Sequence, residues 1–340
     1  MPANDLKLPP DFRARFPWLG GDLQTLKAYL VRRRRSLAAW PARRLWLAMA
    51  DGSGDRLAAS LQGEDRLAEA PLVALLHGLT GCEDSSYMLD SAGAFLEAGH
   101  PVLRLNLRGA GPSRPSCRLQ YHAGRSEDLR DALNALDDLV PGALRRRLLL
   151  MGYSLGGNVL IKFLAEHGSD FPILGAVAVS VPIDLAAAQR RLMAPRNAVY
   201  HAYMLKRMKA EALEAGSALS AEERSAIEAV ESLRAFDARF TAPRNGFRDV
   251  EDYYTRSSAQ CYLTAVKAPT LMIMARNDPW IPIESYLAFD WHLTPAVRPV
   301  LPDSGGHVGF HGRGSRLRWH DRCALAFAKR LGGGAESEAA

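Results

Sequence analysis

The sequence is poor in cysteine and contains no long apolar run. Its 340 residues include four cysteines, and no two of them are separated by only two residues: Cys82, Cys117, Cys261 and Cys323. This spacing argues against a zinc ribbon and a disulfide scaffold, and it favours a reducing compartment such as the cytoplasm. The longest apolar stretch, near residues 173–183, is far shorter than the roughly 20 residues that span a bilayer. The first residues, MPANDLKLPP, lack the apolar segment of a secretory signal.

The sequence also lacks a charge excess spread over the whole chain. Its formal charge is +6, but residues 1–50 carry ten Lys and Arg against three Asp. The other 290 residues carry 33 basic and 34 acidic side chains, so the excess belongs to an N-terminal basic arm, placed at residues 1–42. A nucleic-acid-binding domain more often spreads its basic residues over one face. We therefore expect no nucleic-acid partner.

Short apolar runs alternate with helical patterns along most of the chain. Residues 44–50 and 56–61 flank the turn DGSGD and are typical of a β-hairpin. Six further runs are almost wholly apolar, as strands buried on both faces of a sheet must be. These runs are residues 71–77, 101–107, 146–153, 173–180, 268–275 and 297–302. Helical patterns occupy residues 87–98, 126–139, 155–167, 283–291 and 318–331. This alternation predicts an α/β fold with a mostly parallel central sheet flanked by helices.

One long segment interrupts the alternation. Residues 183–262 contain no buried strand, and within them Ser220 and Glu223 have the spacing of a helix capping box. An insertion of about eighty residues is too long for a simple crossover, so we predict a helical lid there. The core is then formed by residues 43–182 and 263–331. The Gly-rich tail, residues 332–340, is predicted to be disordered.

The clearest motif for chemistry is Gly152-Tyr153-Ser154-Leu155-Gly156. The pattern G-x-S-x-G places a serine on a tight turn between a strand and a helix, and its glycines permit the close approach of the two elements. An apolar run precedes the motif and a helical pattern follows it, as this turn requires. Ser154 is therefore the candidate nucleophile, and the backbone N–H of Leu155 is a candidate oxyanion donor.

A serine hydroxyl is a weak nucleophile and needs a base and an orienting carboxylate. Asp278 and His307 each follow one of the apolar runs, and His307 lies in a loop with two glycines. Sites in parallel sheets gather at the carboxyl ends of the strands. We therefore choose Asp278 as the acid and His307 as the base. Two alternatives stay open, namely Asp184 as the acid and His311 as the base.

The loop His77-Gly78-Leu79-Thr80-Gly81 follows an earlier apolar run. A loop at this place supplies the second oxyanion N–H in enzymes that carry the G-x-S-x-G turn. We assign that donor to the backbone of Leu79. His77 is expected to hold the loop without taking part in the chemistry.

Together these pieces resemble the α/β-hydrolase superfamily, and finer details are similar to the YheT-like hydrolases. The fragments that carry the resemblance are LHGLTGCEDSSYM, YHAGRSEDL, GYSLGGN, FDARFTAPRNGF, DYYTRSS, PTLMIMARNDPWIP and GGHVGF. The segments FDARFTAP and DYYTRSS are the more specific to the family. The early segment PWLGGDLQTL resembles the family's P-H-L-Q-T segment, with Asp22 where the family usually has histidine. The resemblance covers about residues 15–330.

The resemblance implies a serine hydrolase that cleaves carboxylic esters, either short-chain esters or acylglycerol-type lipids, with Ser154, Asp278 and His307 as its triad. Such chemistry needs no metal and no organic cofactor. Two other functions fit the same residues. One is a thioesterase or acyltransferase with the same triad, and the other is a hydrolase-fold binding protein without turnover. The intact triad argues against the binding protein.

Two further segments bear on substrate and location. Two roles are open for five residues of the lid: an apolar wall for a lipid chain, or an ordinary lid core. We favour the lid core. The five residues are Met193, Tyr200, Tyr203, Met204 and Met208. In the arm, the run Arg32 to Arg35 is typical of a solvated surface. Its best functional interpretation is peripheral contact of a cytoplasmic enzyme with anionic lipid at the inner membrane surface.

Overall fold

The computed structural model describes residues 8, 9, 11–31, 34–214 and 218–337, with side chains as far as residue 332. Within this part of the chain, eight strands form one sheet. The strands are β1 (Ala42–Ala48), β2 (Arg56–Gln62), β3 (Leu72–Leu76), β4 (Val102–Leu105), β5 (Leu148–Tyr153), β6 (Ile173–Val179), β7 (Thr270–Ile273) and β8 (Val297–Val300). Their order across the sheet is β1-β2-β4-β3-β5-β6-β7-β8.

One edge of the sheet is antiparallel and the rest is parallel. β1 pairs with β2 and β2 pairs with β4 in antiparallel register, whereas β4, β3, β5, β6, β7 and β8 pair in parallel. The mostly parallel sheet expected from the sequence is thereby confirmed, and the predicted hairpin forms its antiparallel edge. Because parallel strands end at the same edge of a sheet, the loops after β3, β5, β7 and β8 lie at one end of the molecule.

Helices cover both faces of the sheet. The described α-helices are α1 (Gly20–Leu30), α2 (Ser86–Glu97), α3 (Glu127–Leu139), α4 (Leu155–Glu166), α5 (Leu185–Leu192), α6 (Ala198–Leu213), α7 (Ala221–Ala229), α8 (Leu233–Phe236), α9 (Ala242–Arg244), α10 (Val250–Ser257), α11 (Glu284–Ala288) and α12 (Trp319–Ser337). Short 3-10 helices span Glu64–Arg66, Gly111–Ser116, Gly168–Asp170, Pro195–Asn197, Ala259–Cys261, Leu263–Ala265 and Trp291–Leu293. A π-helical turn spans Asp237–Thr241. α2 and α12 pack on one face, and α3 and α4 pack on the other.

The side chains of each central strand divide between two core layers. In β5, Leu148 and Leu150 contact the layer that contains α3 and α4. Leu149 and Met151 contact the layer that contains α2 and α12. Since successive side chains of a strand point to opposite faces, a strand covered on both faces must be apolar at every position. This is why the central strands appear in the sequence as continuous apolar runs.

The inserted segment (residues 183–262) is helical in its described part and contains α5 to α10. Its helix α7 begins with the predicted capping box, in which Ser220 Oγ accepts from the Glu223 N–H and the Glu223 carboxylate accepts from the Ser220 N–H. Met204 and Phe236 belong to a core cluster of this segment that is separate from the two layers of the sheet. The inserted segment therefore has apolar packing of its own.

The N-terminal segment lies against the loop that follows β8. The N–H of Arg15 donates to the carbonyl of His311 (3.0 Å), and the N–H of Arg313 donates to the carbonyl of Arg13 (2.9 Å). These bonds attach the beginning of the predicted basic arm to the core. Arg32 and Arg33, half of the basic run, lie outside the described residues.

The C-terminal helix is longer than the sequence predicts. α12 continues to Ser337, beyond residue 331, where the predicted helical pattern ends. The Gly-rich stretch contains no proline, and glycine weakens a helix by only about 1 kcal/mol per residue, so the helix does not have to end there. Residues 338–340 of the predicted tail lie outside the described part of the chain.

Candidate active site

Ser154 stands on a strained turn between β5 and α4. Its φ of 51° and ψ of −122° lie in a region that residues with a side chain rarely adopt. The neighbouring glycines make the turn possible, because a Cβ on Gly156 would overlap the carbonyl oxygen of His77 and one on Gly152 would overlap the backbone of α4. The local sequence thus presents the serine hydroxyl at the N-terminus of a helix.

Ser154, His307 and Asp278 form a continuous hydrogen-bonded series. Ser154 Oγ lies 3.0 Å from His307 Nε2, and His307 Nδ1 lies 2.8 Å from Asp278 Oδ2. Because the carboxylate accepts a hydrogen bond from Nδ1–H, the arrangement assigns the free lone pair to Nε2, which faces the serine hydroxyl. His307 and Asp278 are both buried. The ring of Trp280 lies against the imidazole with centroids 4.3 Å apart.

Asp184 and His311, the alternative acid and base, make other contacts. Asp184 is the N-cap of α5, where its carboxylate accepts the N–H of Ala187 at 2.9 Å. His311 is buried beside Lys27, whose Nζ lies 3.1 Å from its Nδ1. Burial and the nearby positive charges lower the pKa of His311 far below the ordinary value. Neither side chain is hydrogen-bonded to Ser154 or to His307 among the bonds of the described residues.

The carboxylate of Asp278 is held by its own loop. Its Oδ1 accepts the N–H groups of Trp280 (2.8 Å) and Ile281 (3.0 Å), while Oδ2 faces His307. Both oxygens are therefore engaged, and the buried carboxylate is compensated by three donors. This arrangement fixes the direction in which Asp278 can hold the imidazole.

Helix α1 supports the loop of His307, which sequence reasoning did not foresee. Thr25 Oγ1 accepts the N–H of His307 at 2.8 Å, and Gln24 Oε1 accepts the N–H of His311 at 2.7 Å. Gly306, at φ 61°, passes so close to α1 that a Cβ there would contact Gln24 and Thr25. The signal for this role was the segment PWLGGDLQTL, which contains Gln24 and Thr25.

Asp22 connects α1 with the inserted segment. Its carboxylate accepts from Arg196 at 2.9 Å and from the hydroxyl of Tyr200 at 3.0 Å. In the segment that resembles P-H-L-Q-T, Asp22 stands in the place of the histidine. In this chain an acidic residue suits the place because its partner Arg196 is cationic.

The loop after β3 carries the candidate oxyanion donor. His77 Nδ1 donates to the carbonyl of Gly78 (2.8 Å), and its Nε2 accepts the N–H of Leu107 (3.0 Å). Burial lowers the pKa of His77 to about 4, which keeps the ring neutral and suits this pair of bonds. His77 therefore holds the loop from inside, as the sequence predicts.

The amide groups on either side of Leu79 are occupied. Tyr87 Oη accepts the N–H of Gly78 at 2.9 Å, and Tyr121 Oη accepts the N–H of Thr80 at 2.7 Å. Among the bonds of the described residues, the N–H groups of Leu79 and Leu155 have no protein acceptor. Both residues line the same cavity as Ser154.

A cavity of about 840 Å³ lies beside Ser154 and His307. The inserted segment supplies much of its apolar wall, through residues that include Tyr203, Met204, Met208, Leu233, Phe236 and Phe240. Of the five residues predicted as wall or core, Met204 and Met208 are both buried in the core of the inserted segment and in contact with the cavity. Tyr203 also lines the cavity, whereas Met193 and Tyr200 are not among its lining residues.

A helix that could cross a membrane and a cluster of metal ligands are both absent from the described part of the chain. None of its helices combines the length and apolarity that crossing a bilayer requires. No three His, Cys, Asp or Glu side chains there are grouped so that they could hold a metal ion.

Comparison with known proteins agrees with the fold and the motifs. A family model described as "alpha/beta hydrolase fold" matches residues 71–313. YheT of Escherichia coli (strain K12) is 30% identical over 313 residues, which cover 91% of this chain and 90% of that protein. Phospholipase ABHD3 of Mus musculus is 32% identical over 243 residues, which cover 71% of this chain and 58% of the phospholipase.

Among solved structures, the esterase Pf2001 of Pyrococcus furiosus is similar in fold. It superposes with a TM-score of 0.60 at 21% identity, covering 86% of this chain and 92% of the esterase. The fold and these relatives define an esterase- or lipase-type hydrolase of the α/β-hydrolase fold. The chain belongs to the YheT-like family of these hydrolases, which confirms the resemblance of its motifs.

Proposed function

We propose that the protein hydrolyses carboxylic esters by way of an acyl-enzyme on Ser154. The observation that carries this proposal is the hydrogen-bonded series Ser154–His307–Asp278, which ends in a cavity with an apolar wall. A serine oxygen 3.0 Å from a neutral imidazole nitrogen can lose its proton while it attacks a carbonyl carbon.

The reaction then follows from the positions of the side chains. His307 takes the proton from Ser154 Oγ as the tetrahedral intermediate forms, and Asp278 stabilises the imidazolium through Nδ1. His307 next protonates the leaving alcohol. The same nitrogen then accepts a proton from the water that attacks the acyl-enzyme, and it returns this proton to Ser154 Oγ as the acyl bond breaks and the acid is released. The N–H groups of Leu79 and Leu155 stabilise the oxyanion in both steps.

The cavity supports an ester with an apolar acyl chain, either a short-chain ester or an acylglycerol-type lipid. Its wall of methionine and aromatic side chains excludes water from the chain and adapts to different lengths. A phospholipase is among the relatives to which the chain is similar.

A panel of p-nitrophenyl esters from C2 to C16, combined with a fluorophosphonate probe, tests the proposal. We expect hydrolysis with a defined optimum of chain length, and we expect one added phosphonyl group on the peptide that contains Ser154. Heat-denatured protein is the control and should be neither active nor labelled. Folded protein that hydrolyses no ester of the panel and leaves Ser154 unmodified would contradict the proposed function.

We also propose that the face around α1 docks on anionic lipid. Its exposed apolar side chains support this proposal: Phe16, Leu19, Leu23, Leu30 and Val31. Tyr29 of the same helix lines the cavity and contacts Tyr203 with ring centroids 5.6 Å apart, so this face adjoins the cavity. The exposed Arg34, which also lines the cavity, adds positive charge to an apolar surface, as interfacial binding requires.

Vesicle co-sedimentation measures this contact. A basic residue near an anionic surface contributes about 1 kcal/mol, so Arg34→Gln should weaken binding to vesicles of phosphatidylcholine with phosphatidylglycerol about 5-fold. The matched control is Arg145→Gln, because Arg145 is exposed near the beginning of β5, at the opposite end of the strand from Ser154. Equal binding to neutral and anionic vesicles, or equal losses in both variants, would rule out this docking face.

A further inference from the structure

The peptide groups of Thr80, next to the candidate oxyanion donor Leu79, are held in an unfavourable conformation. Thr80 has a φ of 54°, in the left-handed region that a β-branched residue rarely adopts. Its N–H donates to Tyr121 Oη at 2.7 Å, and its carbonyl accepts from Arg207 Nη2 at 2.6 Å. Such a conformation persists where the surroundings hold it in place, and here two side chains do so.

Both of these bonds lead to helix α6 of the inserted segment. Arg207 is part of α6, and the hydroxyl of Tyr121 donates to Glu211 Oε2, 3.0 Å away on the same helix. Residues 207 and 211 are four apart, so they lie on one face of α6. The tyrosine hydroxyl has one proton, which goes to Glu211, and this leaves its oxygen to accept from Thr80. Thr80, Tyr121, Glu211 and Arg207 thus link the oxyanion loop to α6.

We propose that Tyr121, Arg207 and Glu211 are positioning residues, through which helix α6 sets the direction of the Leu79 N–H. The inference rests on the proposed function of Ser154 and on the role of Leu79 as an oxyanion donor. His77 fixes the peptide between Gly78 and Leu79 from the core side. The bonds of Thr80 fix the backbone on the other side, so the donor is aligned when α6 is seated against the loop.

The charges around Glu211 make this link sensitive to pH. Burial raises the pKa of Glu211 to about 7, against the hydrogen bond from Tyr121 and the positive charges of Arg207 and Arg114, while Glu214 adds to the rise. The other contact in this place is neutral, since Gln120 Nε2 donates to the backbone carbonyl of Glu211. A protonated Glu211 can donate to Tyr121 Oη and compete with the N–H of Thr80. The link therefore weakens as the pH falls through about 7.

The test compares Tyr121→Phe and Arg207→Gln with wild type on a water-soluble p-nitrophenyl ester. One oxyanion donor contributes about 10²–10³ to the rate. Because Leu79 would be displaced and not removed, we expect kcat to fall about 10- to 100-fold. We expect KM to stay within about 2-fold of the wild-type value. The carbonyl oxygen of the bound ester forms a weaker hydrogen bond with the Leu79 N–H than the oxyanion of the transition state does.

A second readout separates positioning from a general structural effect. An alkyl trifluoromethyl ketone forms a tetrahedral adduct with Ser154, and its oxyanion occupies the same place as the reacting oxygen. Its Ki should rise in each variant by about the factor that kcat falls. Lys206→Gln and Tyr262→Phe are the matched controls. Lys206 is exposed beside Arg207 on α6, and Tyr262 loses one hydrogen bond, to the Arg256 carbonyl, with no role at the loop.

Glu211→Gln adds a pH profile to the test, because glutamine accepts the bond of Tyr121 and does not ionise. Below pH 7 the kcat of wild type should fall more steeply than that of Glu211→Gln, since Glu211 takes up a proton there and the glutamine of the variant does not. Identical acid limbs would contradict the role of Glu211.

The outcomes distinguish this inference from the proposed function. Wild-type protein that is inactive and unlabelled at Ser154 would contradict the proposed function. An active wild type whose Tyr121→Phe and Arg207→Gln variants keep kcat and Ki within 2-fold would overturn the positioning role. A rise in KM with unchanged kcat would overturn it as well. Arg207 is exposed, so its replacement keeps the test decisive should Tyr121→Phe fail to fold.

Discussion

Replacing either Ser154 or His307 by alanine should lower kcat for ester hydrolysis about 10⁶-fold. Without Ser154 no oxygen is placed to attack the carbonyl carbon. Without His307 that oxygen keeps its proton, because among the described residues His307 is the base that is hydrogen-bonded to Ser154 Oγ. The two residues act as one unit, so the double variant should be no slower than either single variant.

The measurement is kcat on the best p-nitrophenyl ester of the panel, with circular dichroism to verify the fold. His292→Ala is the matched control for His307→Ala, since His292 is exposed in a 3-10 helix away from the cavity. We expect full activity in that control. Losses that multiply in the double variant would show that Ser154 and His307 act in separate steps, which contradicts the proposed mechanism.

Asp278→Asn should lower kcat about 10⁴-fold with little change in fold. Asp278 Oδ2 holds the proton of His307 on Nδ1, at 2.8 Å, and this leaves Nε2 free to accept from Ser154. An asparagine of the same shape can offer an N–H at that place. The imidazole then carries its proton on Nε2 and has no lone pair for the serine. The variant therefore loses activity because the imidazole of His307 has the wrong tautomer, while its position is unchanged.

Asp184→Asn is the matched control for this change. It introduces the same substitution at the alternative acid, and asparagine caps a helix as well as aspartate does. Because Asp184 caps α5, we expect both the fold and kcat to be unchanged. An inactive Asp184→Asn variant beside an active Asp278→Asn variant would show that the acid was assigned wrongly.

The sequence was most informative where the chemistry depends on neighbours in the chain. The turn at Ser154 was predictable because two glycines, a buried run before it and a helix after it are all encoded within about twenty residues. The eight strands were predictable for a related reason. A strand covered on both faces must be continuously apolar, and this pattern is visible without knowledge of the partners.

The choice between Asp278 and Asp184, and between His307 and His311, needed the folded chain. Asp184, Asp278 and His307 each follow an apolar run, and His311 lies four residues after His307. Their local sequences are therefore alike in this respect. What separates them is distance. β7 and β8 carry Asp278 and His307 to the same edge of the sheet as Ser154, whereas the carboxylate of Asp184 turns back to the beginning of its own helix.

The description of the basic arm differs most between the sequence analysis and the structure. By its charge, the arm (residues 1–42) was interpreted as a single basic segment. In the structure, Thr25 of this segment accepts the N–H of His307, which is 282 positions away in the sequence. A threonine hydroxyl has no distinctive local pattern when its partner is a backbone amide so far away. The resemblance of the surrounding segment to a family motif was a clue to its importance, and the contact itself explains it.

The sequence by itself determined the class of fold, the candidate nucleophile and the short set of acids and bases that could serve it, because hydrophobic periodicity and tight turns are local properties. The tertiary structure decided which acid and base meet the serine, that α1 supports the histidine loop and that α6 reaches the oxyanion loop through Tyr121. These contacts join residues that are far apart in the chain. They form because parallel strands bring their loops to one end of the sheet, where burial leaves each polar group with few possible partners.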